Sequence, residues 1–81
     1  MDTEALHQKS LEIIKSLIEG HKYTYKMFRG KFIRTLENEI YGKDDELYDF
    51  WFEGDKFYNM RLYKYLVELG YKRHGTVLEM N

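Results

Sequence analysis

Apolar residues recur at helical spacing in four stretches, and each stretch is followed by a glycine: Gly20, Gly42, Gly54 and Gly70. In the first stretch Leu6, Leu11, Ile13, Ile14, Leu17 and Ile18 share one arc at 100° per residue. Glu4, Gln8, Glu12, Lys15, Ser16 and Glu19 occupy the other. The pattern predicts an amphipathic helix over about residues 3–19. Glycine just past a helix end is a common stop, because it takes the left-handed conformation freely. Capping residues stand near each start: Asp2 or Thr3, Thr24, Asp44, and Asp55 or Asn59.

The second stretch runs from Thr24 to Tyr41, with Tyr25, Phe28, Phe32, Leu36 and Ile40 in phase and Lys31 and Arg34 opposite. Gly30 inside it costs about 1 kcal/mol relative to alanine. The rival reading is a hairpin with its turn at Arg29-Gly30, which the β-branched and aromatic content favours. The third stretch, Asp44–Glu53, divides as a helix into Leu47, Tyr48, Phe50, Trp51 and Phe52 against Asp45, Glu46, Asp49 and Glu53. A Gly54-Asp55 hairpin turn is its alternative. The fourth begins at Lys56 or Asn59 and ends at Leu69. Tyr58, Leu62, Tyr65, Leu66 and Leu69 form one arc, and Met60, Tyr63 and Val67 lie nearly opposite. A helix with two apolar faces is either sandwiched or keeps one face for a partner. The tail YKRHGTVLEMN reads as a short strand or a hairpin around Gly75. The expected fold is α+β and helix-dominated, with three or four short helices and a small C-terminal β strand or hairpin. Residues 1–81 form one compact domain in this reading, the first helix packing on an aromatic core from the second and fourth.

At 81 residues the chain buries about 60% of the surface its unfolded form exposes. The aromatics must supply much of that core. All of them fall between Tyr23 and Tyr71. With no cysteine there is no disulfide scaffold, thiolate zinc site or cysteine nucleophile. No run of 18 apolar residues is present to span a membrane, and the start MDTEALHQ does not read as a signal peptide. The expectation is a soluble cytoplasmic protein with no membrane partner.

Charge is segregated beneath a net value of −1. Residues 22–36 carry Lys22, Lys26, Arg29, Lys31 and Arg34 and no acid, whereas residues 37–55 carry eight acids against Lys43 alone. Residues 56–74 are basic again, with Glu68 the one acid. Such blocks either neutralise one another in the fold or present opposite fields to partners.

Candidate chemistry is sparse. His7, His21 and His74 stand at no metal-motif spacing, and His7 falls within the apolar arc near the start of the first helix. Ser10, Ser16, Thr3, Thr24, Thr35 and Thr76 sit in no nucleophile elbow, and no glycine-rich phosphate loop is present. The expectation is a protein that is not an enzyme and needs no metal or cofactor.

Two segments stand out. In DDELYDFWFEGD, Asp45, Asp49 and Glu53 recur every four residues, with Glu46 and Asp55 close by. Like charges at that spacing destabilise an isolated helix by roughly 0.2–0.5 kcal/mol per pair. Either the basic blocks fold alongside, or the carboxylates meet a basic surface of another protein, imitating the phosphates of a nucleic-acid strand. Tyr48, Trp51 and Phe52 would then anchor the interface. Small, cysteine-free, charge-blocked chains of this kind resemble in type the accessory inhibitors that phages and mobile elements encode. The second segment is NMRLYKYLVELGYKRHG, residues 59–75, followed by TVLEM. It resembles the recognition helix and wing of winged helix-turn-helix domains. With LYDFW it is also similar to the winged domains that end some viral helicase–primases, though it lacks the helix usually found between the Trp and the final helix. That resemblance implies DNA contact through outward-facing Arg61 and Lys64 and through Lys72 and Arg73. The leading expectation is a non-catalytic module binding a basic protein through Asp45, Glu46, Tyr48, Asp49, Trp51, Phe52, Glu53 and Asp55. The alternatives are the DNA-binding reading and a homodimer formed through the second apolar face of the fourth helix.

Overall fold

A computed structural model describes residues 2–40, 42–52 and 58–80. Glu53 and Asp55 of the expected acidic site, and the Gly54-Asp55 turn, lie outside the described residues. The elements run α1 (Thr3–Ile18), β1 (Tyr23–Thr24), α2 (Tyr25–Thr35), a π-helical turn (Leu36–Ile40), α3 (Asp45–Phe52), α4 (Tyr58–Glu68), β2 (Tyr71–His74) and β3 (Val77–Met80). The fold is α+β and helix-dominated, as the periodicity implied.

Each of the first three helices starts at a side-chain cap. Asp2 accepts from the Ala5 N–H at 2.7 Å, Thr24 from Met27 at 3.1 Å, and Asp44 from Leu47 at 2.9 Å. These bonds satisfy backbone donors that the first turn leaves open. At the far end of α1, Gly20 takes φ +78°, which a residue with a side chain rarely adopts.

The hairpin alternative at Arg29-Gly30 does not form. Residues on both sides of Gly30 are helical, and Phe28 and Phe32 reach the core together, one turn apart. The strand signal in KYTYKMF survives only as β1. That two-residue strand pairs antiparallel with β3, which pairs with β2 on its other side, so the sheet order is β1-β3-β2. The helix expected to run to Tyr41 instead leaves α geometry after Thr35 and closes with the π turn.

The core does not follow the expected partition. The buried row of α1 is Leu6, Ser10, Ile14 and Ile18, one residue per turn, and it includes a serine. This row meets Phe28, Phe32 and Leu36, Leu47 and Trp51, and Leu62, Tyr65 and Leu66, with Leu78 entering from the sheet. Trp51 sits at the centre, 0% exposed. Its ring packs edge-on against Phe32 with centroids 4.7 Å apart, and tilted against Tyr65 at 5.4 Å. The indole N–H donates to Ser10 Oγ at 3.1 Å, and the serine hydroxyl donates to the Leu6 carbonyl at 2.8 Å. Helix α3, not only α2 and α4, therefore supplies the centre of the core.

Ser10→Ala should remove the only acceptor the indole N–H has among the described residues. Stability to urea should fall by about 1–3 kcal/mol, the cost of a buried donor left unpaired. Ser16→Ala, on the exposed side of α1, should change it by no more than about 0.5 kcal/mol.

Candidate functional site

The expected acidic-aromatic face is only partly assembled. Leu47 and Trp51 of α3 are buried. Trp51 is the largest ring of the segment, and its complete enclosure removes it from any contact surface. Tyr48 and Phe52 are half-buried and stack on each other with centroids 4.8 Å apart. Phe50, also half-buried, is covered by the Arg61 guanidinium, 4.1 Å from its centroid.

The carboxylates differ among themselves. Asp44 is clasped by Lys9, a base from α1 rather than from either basic block. The hydrogen bond from Lys9, followed by that from the Leu47 N–H, holds the Asp44 carboxyl below the usual carboxylate range. Glu46 is exposed yet engaged within the molecule. Asp45 is exposed and Asp49 half-buried, and neither has an ion pair among the described residues. Among the described residues, Asp45 and Asp49 are thus the carboxylates of the expected face without an ion pair.

The basic region is rearranged as well. Arg61 was expected to face outward. It lies instead over Phe50 and within 5.9 Å of the Trp51 centroid, as part of the cover of the core. Lys64, Lys72 and Arg73 are exposed. The antiparallel register puts Arg73 opposite Leu78, on the inner face of the hairpin, and Lys72 opposite Glu79, on the outer one. Arg73 is held by its Nε–H, which donates to the Gly75 carbonyl at 2.9 Å, and by the Tyr25 ring, 5.2 Å below its guanidinium.

Tyr25, which the residue pattern did not single out as a site residue, joins three elements. Its N–H donates to the Thr76 carbonyl at 3.0 Å, its hydroxyl to the Asn59 carbonyl at 2.8 Å, and its ring meets Tyr63 edge-on at 6.2 Å. The start of α2, the outer face of α4 and the hairpin thereby enclose an open groove of about 760 Å³. Met60, Tyr63 and Val67 form its apolar wall, at 69%, 40% and 49% exposure, with Lys64 and Arg73 at its rim. These are the residues of the second apolar face of α4; Tyr63 meets the Tyr25 ring, and all three remain partly open to solvent. Lys22 and Lys26, both exposed, flank Tyr25 in sequence.

A second hollow, about 590 Å³, lies between α1 and α4. There His7 Nδ1 is 3.1 Å from the Tyr65 hydroxyl and His7 Nε2 is 3.6 Å from Glu68. Burial pushes the Tyr65 phenol up, so it stays protonated at neutral pH and suits a hydrogen-bond donor rather than a nucleophile. Among the described residues no group of three or more acidic or histidine side chains is placed to hold a metal ion. No helix among them is long and apolar enough to cross a membrane.

In comparisons with known proteins, no family model, no curated protein and no solved structure matches the chain.

Asp44→Asn keeps a capping oxygen but loses the charge that Lys9 holds. Because the folded-state pKa of Asp44 lies below its unfolded value, the ion pair stabilises the protein above the ordinary carboxylate range. That contribution fades as pH falls through the lowered folded value. The variant should therefore be less stable than the native chain at neutral pH, and the difference should close in acid, as read by thermal unfolding from pH 7 to pH 2.

Proposed function

We propose that the protein is a non-catalytic, DNA-binding domain of winged-helix type, which engages duplex DNA with the outer face of α4, the β2-β3 hairpin and the start of α2. The observation that carries this reading is the order of elements around the groove. A short strand follows α1 and precedes α2, the last helix leads directly into a hairpin, and the last strand lies between the other two. That is the connectivity of the winged helix-turn-helix domains that residues 59–75 resemble, with α3 as one helix more. In such a domain α4 is the recognition helix, and the hairpin is the wing beside it.

The charges around the groove support the same partner. Lys64 and Arg73 stand at the rim of the groove, Lys22 and Lys26 are exposed on either side of Tyr25 in sequence, and Lys72 is exposed on the outer face of the hairpin; none of the four lysines has an ion pair among the described residues. The nearby acids face histidines: Glu68 lies 3.6 Å from His7, and Glu79 lies 3.7 Å from His74. None of the described acids of the 37–52 segment lines the groove. Helix α3 packs chiefly on α1 and the π turn, within a molecule 33 × 24 × 23 Å across. Charges farther than about 10 Å apart are largely screened at 0.1 M salt. A net charge of −1 is therefore compatible with a local cationic face. A DNA partner also fits a cytoplasmic location.

A second reading has one observation in its favour. Asp45 and Asp49 have no ion pair among the described residues and remain available to a basic protein partner, as an inhibitor of nucleic-acid-binding surfaces would require. The double change Asp45→Lys with Asp49→Lys separates the two. Lost capture of a basic host protein at unchanged melting temperature supports the inhibitor, whereas retained or tighter DNA binding supports the winged-helix reading.

Fluorescence anisotropy with a labelled 20-base-pair duplex tests the DNA reading directly. If the five cations contact phosphates, log K should fall against log salt with a slope of about −4 to −5. Lys64→Ala and Lys72→Ala should each reduce that slope by about 1. Absence of binding at 50 mM salt would end the proposal.

A further inference from the structure

The wall of the groove is apolar where a DNA-reading helix usually offers hydrogen bonds. Met60, Tyr63 and Val67 lie at i, i+3 and i+7 on α4. Spaced at 1.5 Å per residue, they form a stripe about 10 Å long, the rise of about three base pairs. Large apolar side chains this exposed are normal singly, but as a continuous stripe they mark a binding surface. The occupant must satisfy the cationic rim and the apolar wall together. In the major groove one base feature is apolar, the C5-methyl group of thymine.

The polar readers are limited. Bidentate recognition of guanine calls for an arginine or lysine, and of adenine for an asparagine or glutamine. Arg61, the arginine of α4, is committed to Phe50 and Trp51. Lys64 stands at the rim, and Asn59 is the single amide on the helix. The middle of the stripe has no charged or amide group with which to read a base edge.

Resting on the DNA reading above, we infer that Met60, Tyr63 and Val67 contact thymine methyl groups, so that the protein prefers thymine-containing duplex over the same duplex bearing uracil. The phosphates beside the stripe meet Lys64 and Arg73. Each methyl so buried is worth about a four-fold change in affinity, from about 0.8 kcal/mol per buried CH2-sized group.

The experiment uses the full chain and one random-sequence duplex pool synthesised twice, once with thymine and once with uracil. The two forms differ by the methyl group alone. Expected are tighter binding of the thymine pool by four-fold or more and parallel salt dependences. Met60→Gln with Val67→Gln should bring the ratio of the two affinities close to one while the salt slope is kept. Both positions are exposed, and an unchanged melting temperature shows that the fold is retained. Equal affinity of the native chain for the two pools would overturn the inference and leave the DNA reading standing. Failure to bind either pool at low salt would remove both. A dimer mass by light scattering that Val67→Asp converts to monomer would also overturn it, because a second copy would then cover the stripe.

Discussion

The hydrogen bond from the Trp51 indole to Ser10 is what allows the largest side chain of the protein to be enclosed completely. An indole buries roughly 150–250 Å². At about 25 cal/mol per Å² of apolar surface this is an upper value of some 4–6 kcal/mol. That is a large share of the 5–15 kcal/mol by which a domain is stable. The gain is kept only if the N–H is satisfied, and it falls to a serine in the middle of an otherwise aliphatic row to do so. Helices from both halves of the chain converge on this ring: α1 through Ser10, α2 through Phe32 and α4 through Tyr65.

This arrangement determines what α4 can present. Leu62, Tyr65 and Leu66 are drawn inward around Trp51, and Arg61 is drawn over Phe50. The opposite side, with Met60, Tyr63, Lys64 and Val67, is left to line the groove. Tyr25 then fixes the geometry of the groove, because its backbone binds the hairpin turn and its hydroxyl binds the first turn of α4. Two-residue β1 serves the same end: it ties the entrance of α2 to the central strand.

Local features of the chain were the most legible. The periodicity of α1, the caps at Asp2, Thr24 and Asp44, and the hairpin around Gly75 all follow from residues within one or two turns of each other. What escaped was nonlocal. Five apolar residues crowd the arc of α3, and nothing in their spacing says which ring goes to the centre. Trp51 therefore read as an interface anchor. Ser10 looked like one hydroxyl among several because its partner is 41 positions away. Arg61 looked free because the ring beneath it belongs to another helix. The acidic segment offered two readings, pairing with a basic block or a free face for a partner protein, and spacing could not show that its first carboxylate, Asp44, is held by Lys9 from α1. The second apolar face of α4 was legible in outline, whereas Tyr25's part in the groove depended on a strand pairing too short to announce itself.

Among the described residues, the sheet order leaves β2 at an edge. An unprotected edge invites another chain to add a strand. Here that edge is the segment Lys72-Arg73-His74, and charged side chains on an outer strand discourage such growth. The cationic wing thus has a colloidal duty independent of any ligand. Neutralising it to test the proposed DNA contact would also remove a guard against self-templated aggregation.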